Sequence, residues 1–394
     1  MTNIEPYVVV KDVEKMAQVA YGNAGKIALV GAFPCDDVKV AIYSNLEDAQ
    51  DALKGEYRLP SDTSAEHASL DVVPSDFTSF YCLPYIFESN NVSKGAESVL
   101  VVNINYDKET LVKTVDNTSL ASALTLLSDE DFDILTIADG IKLAVLSEST
   151  AILNPMWATL KTFNNTMYAN QKPFGLITGV DLDANASVTI LESWKNLWRD
   201  KGIYKAVCTP IRLNGEANSL NIAQSGCWHS AFTAGRSVNK SETGKLYPNV
   251  IGEDSKTKYP IATGVITWQS LLDNGMHTTK YRNRRLSTIQ CISNITPCDY
   301  DMKIERVKNY MIKKLSFVDV FGEDNSQPTL AYIEGLFEYE KNVAISNGYL
   351  TSMDYNIVSV GTDKVRANLY LGIPDVVRVI ELNVTLEITN YEEA

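Results

Sequence analysis

The stretch Gly25–Gly55, GKIALVGAFPCDDVKVAIYSNLEDAQDALKG, contains the clearest succession of secondary-structure signals in the chain. Lys26–Gly31 is apolar and ends in glycine, which predicts a buried strand, and Val38–Tyr43 predicts a second strand after a proline-led turn. Ser44-Asn45 can cap a helix that has acidic residues in its first turn and ends at the last glycine of the stretch. A strand, turn, strand and helix in this order is a common arrangement, so the rest of the chain has to decide the fold.

Outside this stretch, strand and helix signals alternate along the chain. Helices are predicted at residues 119–127, 151–168, 187–200 and 220–234, the second with a break near Asn154-Pro155, and strands at 132–138, 174–180 and 203–209. This spacing is typical of βαβ units around a largely parallel sheet, and it predicts an α/β class with mixed α+β character. Residues 56–118 contain short apolar pieces at 80–87 and 98–105 among polar residues, which predicts a loop-rich insertion with a few strands.

The C-terminal part of the chain differs in character. A polar loop at 239–260 and a short helix at 265–273 precede the basic cluster KYRNRR, residues 280–285. Beyond this cluster the sequence predicts helices at 301–315 and 328–345, and strands at 286–292, 349–360, 364–371 and 376–389.

Composition limits the classes of protein to be considered. The chain has 394 residues, of which 45% are hydrophobic and 21% charged, so two or three packed units with sizeable cores are expected. The formal net charge is −14, from 35 basic and 49 acidic residues, which argues against a nucleic-acid coat. The chain lacks a run of about 18 apolar residues, and its first residues are acidic rather than basic. We therefore expect no membrane insertion, and a protein made and kept in a cytoplasm.

The cysteines and histidines do not form a ligand pattern in the sequence. The six cysteines are scattered without a CxxC pair, and three histidines occur, His67, His229 and His277. A structural zinc site needs a clustered set of such ligands, so we expect free, mostly buried thiols. The chain also lacks GxxxxGK[ST] and GxGxxG motifs, which argues against nucleotide binding, and we expect no cofactor.

The spacing of a calcium-binding loop is found at Asp181, Asp183, Asn185, Ser187 and Glu192. An alanine replaces the glycine that the sharp turn of such a loop needs, and the preceding element is a predicted strand rather than a helix. The favoured interpretation is that these polar residues turn the chain and cap the next helix, with a calcium site as the alternative.

Cys227 and His229, flanked by Ser225 and Ser230, bring a thiol or serine hydrolase into consideration. The base of such a nucleophile normally comes from a distant element, and the G-x-S-x-G motif is absent. On a helix these side chains also point in different directions. A packed helix is therefore favoured over a catalytic site.

Four stretches resemble, in order, the contractile tail sheath family of phage tails, R-type pyocins and related injection machines. Gly25–Gly55 is similar to the family's opening, and Ser119–Asp139, SLASALTLLSDEDFDILTIAD, is similar to its short helix, acidic turn and strand. Residues 304–345 resemble its core block of two helices. Residues 363–388, DKVRANLYLGIPDVVRVIELNVTLEI, resemble its closing pair of strands. The order of the four motifs is more specific than any one of them.

Two positions depart from the family's pattern. SGCWHSAFTAG at Ser225–Gly235 matches the family's Pro-Ser-Ala loop only loosely, and Glu305-Arg306 stands where the family has a tandem arginine. An α/β hydrolase-like or ligand-binding enzyme with an unrecognised site is the alternative to the sheath interpretation. A tail tube or baseplate component is a third interpretation, against which the βαβ alternation argues, since tube subunits are usually smaller and mostly β.

The resemblance implies a structural subunit, not an enzyme, that polymerises helically around an inner tube and contracts to drive it through a target envelope. The implied partners are copies of the chain, the tail tube protein, and baseplate and tail terminator proteins, without nucleic acid. The implied location is a virion tail or injection particle assembled in the host cytoplasm. We expect an N-terminal arm at 1–20, an outer α/β domain at 21–279 with the 56–118 insertion on its exposed side, and an inner domain at 280–394.

Two sets of contact residues follow from the resemblance. Strands at the two termini are expected to add to the sheets of neighbouring subunits, the alternative being that both finish the sheet of their own subunit. These strand residues are Tyr7, Val8, Val9, Val10, Val377, Val379, Val384, Leu386 and Ile388. The inner domain is expected to contact the tube partly through charge, while Ile304, Val307, Met311 and Leu315 pack inward. The tube-contact residues are Lys280, Arg282, Arg284, Arg285, Lys303, Arg306, Lys313 and Lys314.

Overall fold

A mainly parallel sheet of seven strands organises the chain. The computed structural model describes residues 25–87, 96–107, 109–182, 186–200, 204–208, 210–214, 218–243, 247, 250, 266–283, 288–293, 296–298, 301–315, 326–359 and 365–374. In chain order the strands are β1 (Lys26–Gly31), β2 (Val40–Tyr43), β3 (Ser98–Asn103), β4 (Ile134–Ile137), β5 (Ile141–Lys142), β6 (Ala144–Ser147), β7 (Thr150–Leu153), β8 (Gly175–Asp181), β9 (Tyr204–Val207), β10 (Thr278–Asn283), β11 (Thr288–Ser293), β12 (Ser352–Ser359) and β13 (Val365–Gly372). The helices are α1 (Leu46–Leu53), α2 (Leu83–Phe87), α3 (Asn117–Leu127), α4 (Met156–Ala169), α5 (Val188–Trp198), α6 (Ile222–Ala234), α7 (Trp268–Asp273), α8 (Met302–Lys314) and α9 (Gln327–Ser346).

The strands of the central sheet lie in the spatial order β2, β3, β1, β4 and β8, and both β5 and β9 pair with β8. β2 is antiparallel to β3, and the other pairs in this sheet are parallel. Within β1, Leu29 lies opposite Val101 on one side and Thr136 on the other. The largely parallel sheet predicted from the βαβ alternation is therefore confirmed.

Helices cover both faces of this sheet. On one face α3, α4 and α5 bury Trp157, Trp194 and Trp198, and the first two side chains meet edge-on with ring centroids 5.9 Å apart. On the other face α1, α2 and α6 pack against side chains of alternate strand positions, such as Leu29 and Val101. A sheet covered on both faces requires apolar residues at successive positions, which explains the continuous apolar run of β1. The α/β class with mixed α+β character is confirmed.

Helix α6 lies directly on β8 because glycines meet at the crossing. A Cβ atom on Gly226 would lie 2.3 Å from the amide nitrogen of Gly179. A Cβ atom on Gly179 would lie 2.2 Å from the carbonyl oxygen of Ile222. Both positions therefore need glycine, and the close approach holds the side chains of α6 against the sheet.

Helix ends follow the capping signals of the sequence. The side chain of Asn45 accepts a hydrogen bond from the Asp48 amide at 2.8 Å and caps α1. Gly55 follows this helix with φ of 60°, and Gly348 follows α9 with φ of 69°. These left-handed conformations favour glycine, as the predicted helix ends require. None of the helices in the described ranges is long and apolar enough to cross a membrane.

A hairpin replaces the start of one predicted helix. The sequence predicts a helix over 151–168 with a break near Asn154-Pro155. The break is confirmed, but the residues before it form β7, which pairs antiparallel with β6, and α4 begins only at Met156. Pro155 is the N-cap residue of α4. Proline cannot occupy a helix interior without loss of a hydrogen bond but is tolerated at a helix start, so Asn154-Pro155 separates strand from helix.

Part of the predicted 56–118 insertion belongs to the core. β3 lies between β1 and β2, and all of its residues after the first are buried. The apolar piece at 80–87 forms a 3-10 turn at Phe80–Cys82 followed by α2, and its buried side chains pack against the same face as α6. The expectation of a loop-rich, exposed insertion therefore needs correction for these two pieces.

Within the described ranges, three two-stranded sheets, β6–β7, β10–β11 and β12–β13, accompany the central sheet. The β12–β13 sheet shares a hydrophobic cluster with α8 and α9, formed by Val307, Met311, Ile333, Phe337 and Met353 among others. Val307 and Met311 thus pack inward, as expected, whereas Ile304 and Leu315 are only half-buried. The division into an outer domain at 21–279 and an inner domain at 280–394 stays a prediction.

Candidate functional site

The nucleophile and base candidates of α6 lie inside the protein. Cys227, His229, Ser225 and Ser230 are all fully buried. Both serines donate their hydroxyl protons to carbonyls one turn earlier, at 2.8 and 3.0 Å. The nitrogens of His229 have no hydrogen-bond partner among the described residues. A substrate cannot reach these groups, and the arrangement is that of a packed helix.

A second serine, histidine and aspartate meet in the segment after α1. Asp62 Oδ2 is 2.6 Å from His67 Nδ1, and Ser64 Oγ is 3.3 Å from the same nitrogen. A catalytic relay needs the serine and the carboxylate on opposite ring nitrogens. Here the group stabilises a turn, and the amide and hydroxyl of Ser64 together with His67 lower the pKa of Asp62.

The calcium-loop candidates have separate positions. Asp181 is exposed at the end of β8, and Glu192 is exposed on α5. Ser187 accepts a hydrogen bond from an amide of the first turn of α5 at 3.4 Å and caps that helix. Asp183 and Asn185 lie outside the described residues. Within the ranges that the structure describes, no group of three or more His, Cys, Asp or Glu residues is placed to hold a metal ion.

A buried ionic cluster joins β9 to residues 236–243, a segment after α6 that we call the strap. The ammonium group of Lys205 pairs with Glu242, and the two side chains are 1% and 2% exposed. Thr233 donates to Glu242 Oε1 at 2.6 Å, and the hydroxyl of Tyr247 donates to Glu242 Oε2 at 2.9 Å. Both oxygens of the carboxylate therefore have donors, as a buried charge requires.

Two histidines complete the ionic cluster. The ring centroids of His229 and His277 are 4.8 Å apart, and His277 Nε2 is 3.1 Å from the hydroxyl of Tyr247. Burial, and after it the charge of Lys205, lower the pKa of each histidine well below its usual value. Burial alone would raise the pKa of Glu242, but the charge of Lys205 and the hydrogen bonds lower it to about 2. At neutral pH the histidines are uncharged and the carboxylate is ionised.

The sequence analysis missed this cluster. One feature of the sequence indicates it: Lys205 lies inside an otherwise largely apolar predicted strand. A buried ammonium group needs an acidic partner. The sequence does not show which of the 49 acidic residues supplies it, since Glu242 lies in a polar loop without periodicity.

The strap also holds α8. Ser241 and Thr243 donate to Asp301 Oδ2 at 2.6 and 2.7 Å, and Asp301 is the N-cap of α8. Arg306 donates to the carbonyls of Arg236 and of the next residue at 2.8 and 3.3 Å. One side of the strap thus contacts the ionic cluster, and the other side contacts α8.

The predicted basic face of α8 is occupied within the subunit. Lys303 and Arg306 are 7% and 8% exposed. Lys313 donates to the Phe132 carbonyl at 2.7 Å and pairs with the aspartates on either side of that residue at 2.9 and 3.1 Å. Lys314 is half-buried, 5.7 Å from the centroid of a tyrosine ring of its own helix. The expected exposed face needs correction, because α8 lies between the central sheet and α9 and is covered on both sides.

The structure describes only some of the remaining predicted contact residues. Lys280 and Arg282 lie on β10. Arg284 and Arg285 lie outside the described residues, and so do the predicted terminal strand residues at 7–10 and 377–388. Their contacts stay predictions.

The β12–β13 sheet offers edges for further pairing. Within the described part of the chain, each of its strands is hydrogen-bonded on one side only. One face packs on α9, where Tyr355 donates to Glu338 Oε2 at 2.9 Å. On the other face Asp354 lies opposite Tyr370, whose side chain is 68% exposed. The outer edge of each strand presents main-chain amides and carbonyls to which another strand can bond.

Comparison with known proteins gives matches in structure. No family model and no curated protein sequence matches the chain. A sheath tail protein from Desulfitobacterium hafniense matches with a TM-score of 0.55 and 11% identity, over 89% of this chain and 96% of that chain. A sheath tail protein from Listeria innocua matches with a TM-score of 0.53 and 12% identity, over 88% of this chain and 94% of that chain.

A chain of the anti-feeding prophage baseplate, in a six-fold symmetrised cryo-EM structure, matches with a TM-score of 0.56 and 12% identity. This match covers 93% of this chain and 94% of that chain. The protein therefore has the fold of contractile tail sheath proteins, and the resemblance seen in the sequence is confirmed at the level of the fold.

Proposed function

We propose that the chain is the structural subunit of a contractile tail sheath, which polymerises helically around an inner tube and contracts to drive it through a target envelope. The observation that supports this role is the extent of the structural match. The matches to sheath tail proteins cover 88% and 89% of this chain. They are therefore not confined to the βαβ units, which many α/β proteins share.

Strand addition links the subunits in this proposal. Among the residues that the structure describes, each strand of the β12–β13 sheet has an open outer edge, and the sequence predicts apolar strands at residues 5–10 and 376–389. A terminal strand of one copy then completes the sheet of the next through main-chain hydrogen bonds. Each such bond contributes about 0.5–1.5 kcal/mol and depends little on side chains. The link can therefore persist while subunits rotate and slide.

In this proposal, the tube contact involves fewer basic residues than the sequence analysis predicted. Lys303 and Arg306 are buried, and Lys313 binds within the subunit. Of the predicted tube-contact residues, this leaves Lys314 and the cluster at 280–285. The other partners in this proposal are further copies of the chain and the baseplate and tail terminator proteins of a virion tail or injection particle. The free energy of contraction resides in the interfaces between subunits, without nucleotide hydrolysis.

Electron microscopy tests the assembly. The purified chain, alone and with a candidate tube protein, is expected to form long hollow tubes in negative stain. An enzyme would stay a small oligomer under both conditions, and that result would contradict the proposal.

Deletion of residues 1–12 tests the strand link. The truncated protein is expected to keep the circular dichroism spectrum of the full chain and to lose the long tubes. A matched control changes Val8 and Val10 to threonine, which retains strand propensity and every main-chain donor, so this variant is expected to assemble. Normal tubes from the truncated protein would show that the N-terminal strand is not the link.

A further inference from the structure

Two of the three histidines of the chain lie together in the ionic cluster, and the proposed assembly uses neither. His229 and His277 are at most 1% exposed. The charged and titratable groups that face them come from β9 and from the strap with the segment after it: Lys205, Glu242 and Tyr247. A second set of charged groups lies where the strap contacts α8: Arg236, Asp301 and Arg306.

The charges of this cluster balance only while the histidines are neutral. Lys205 and Glu242 cancel each other, so a proton on either imidazole adds an uncompensated positive charge in a site without water contact. His229 has no hydrogen-bond partner in the described ranges that would stabilise such a proton. The one hydroxyl proton of Tyr247 is directed to Glu242, so His277 is the donor to Tyr247 through Nε2.

We propose that the neutral pair His229 and His277 makes the strap an acid-sensitive lock, which opens on mild acidification and releases the N-terminal end of α8 from the central sheet. The strap is the element that opens, because its Glu242 is held by the cluster while Ser241 and Thr243 hold Asp301 on its other side. The lock is a property of the single chain, so it holds whether or not the chain assembles into a sheath.

The direction of the pH effect follows from proton binding. Both histidines are neutral in the closed state and regain their ordinary pKa of about 6.5 when the strap opens. Below that pH the open state binds protons that the closed state excludes, so the closed state loses stability as pH falls. One such histidine increases the open population about tenfold per pH unit, and two increase it about a hundredfold. Glu242 stays ionised in this range, since its pKa in the closed state is about 2.

Hydrogen exchange measured by mass spectrometry on the full chain tests the lock. Exchange of strap peptides, corrected for the intrinsic rate, is compared with that of β1 between about pH 7 and pH 5. In the wild type, the population of molecules with an open strap is expected to rise nearly a hundredfold between about pH 6 and about pH 5. The exchange of β1 is expected to stay unchanged over the same range.

Three single variants isolate the histidines. His277→Gln keeps a donor for Tyr247 but cannot titrate. The population with an open strap is therefore expected to rise only about tenfold per pH unit in this variant. His229→Leu has no hydrogen bond to lose and is expected to give the same reduction, which provides a second route should one variant fold poorly. His67→Gln is the matched control, because this histidine is 45% exposed and outside the cluster, and it is expected to behave as the wild type.

Two outcomes would overturn the proposal. The first is an identical pH profile of strap exchange in the wild type and in both cluster variants. The second is exchange of β1 that rises together with exchange of the strap, since this pattern reports acid unfolding of the whole chain rather than opening of the strap. Failure to form tubes in the assembly experiment would not change the interpretation of the hydrogen exchange of the strap or of β1.

Discussion

The two ends of α8 attach to the central sheet in different ways. At the N-terminal end, the strap connects Asp301 and Arg306 to an ion pair whose side chains, Lys205 and Glu242, are 1% and 2% exposed. At the C-terminal end, Lys313 pairs with two aspartates whose side chains are 46% and 30% exposed. Water can replace a lost partner at the second site but not at the first. Burial therefore decides how much each ion pair matters for stability.

The largest effect is expected for Glu242→Gln. The change leaves the ammonium group of Lys205 buried without a carboxylate, which is expected to lower the free energy of unfolding by about 3–5 kcal/mol. Urea denaturation at neutral pH measures this loss. In the control, Lys205→Met is added to Glu242→Gln, which removes the unpaired charge and is expected to recover most of the stability. A double variant no more stable than the single one would show that the charge is not the cause.

A smaller effect is expected for Arg306→Met. The guanidinium group of Arg306 donates to two carbonyls of the strap, and methionine keeps the apolar stem but leaves both carbonyls without this donor. Loss of charged hydrogen bonds at a buried site is expected to lower the free energy of unfolding by about 2–3 kcal/mol. Lys314→Met, at the half-buried end of the same helix, is the matched control. Equal urea midpoints for the two variants would contradict the difference between the ends of α8.

The sequence predicted the local elements of the fold well, and the physical reason is periodicity. β1, β4 and β8 are apolar runs of strand length, and Asn45 and Gly55 mark the ends of α1. β3 was placed in a loop-rich insertion because its neighbours in sequence are polar, while its partners β1 and β2 are reached only through the tertiary fold. The helix predicted over 151–168 was wrong only before its break at Asn154-Pro155, where a strand of four residues is too short to be distinguished from a helix start by periodicity.

The candidate site was harder to predict than the fold. The helical pattern of α8 assigns three basic positions to solvent, those of Lys303, Arg306 and Lys313. The partners of Arg306 and Lys313 lie far away in the chain, at the Arg236 carbonyl and beside Phe132, and periodicity within one helix does not contain this information. Burial of a cation depends on packing between distant elements, which local patterns do not report.

Lys313→Met is expected to lower the free energy of unfolding by only about 1 kcal/mol, because its aspartate partners are partly exposed and the pair is screened by solvent. The loss is expected to shrink further at high salt, where the wild-type pair is screened as well. Urea denaturation in about 0.05 M and about 1 M sodium chloride measures both effects. A loss as large as that of Glu242→Gln, independent of salt, would mean that the two ends of α8 do not differ.

The smallest effect on stability is expected for Lys314→Glu. Lys314 is half-buried, and its ammonium group lies 5.7 Å from the ring centroid of Tyr310. Burial raises the pKa of Glu340 and the charge of Lys314 opposes this increase, so the reversed charge affects one partly buried carboxylate. We expect a loss below about 1 kcal/mol in urea denaturation.

This variant separates stability from assembly, which a combined reversal of Lys313 and Lys314 cannot do. Lys313→Glu would place a third carboxylate beside Asp131 and Asp133 and disturb the fold. Lys314→Glu leaves that site intact, so reduced co-sedimentation with the tube protein would report the proposed contact itself. Lys314→Gln is the matched control, expected to reduce co-sedimentation less, because it removes the charge without reversing it. Unchanged co-sedimentation of Lys314→Glu would place the contact at the basic cluster, residues 280–285, instead.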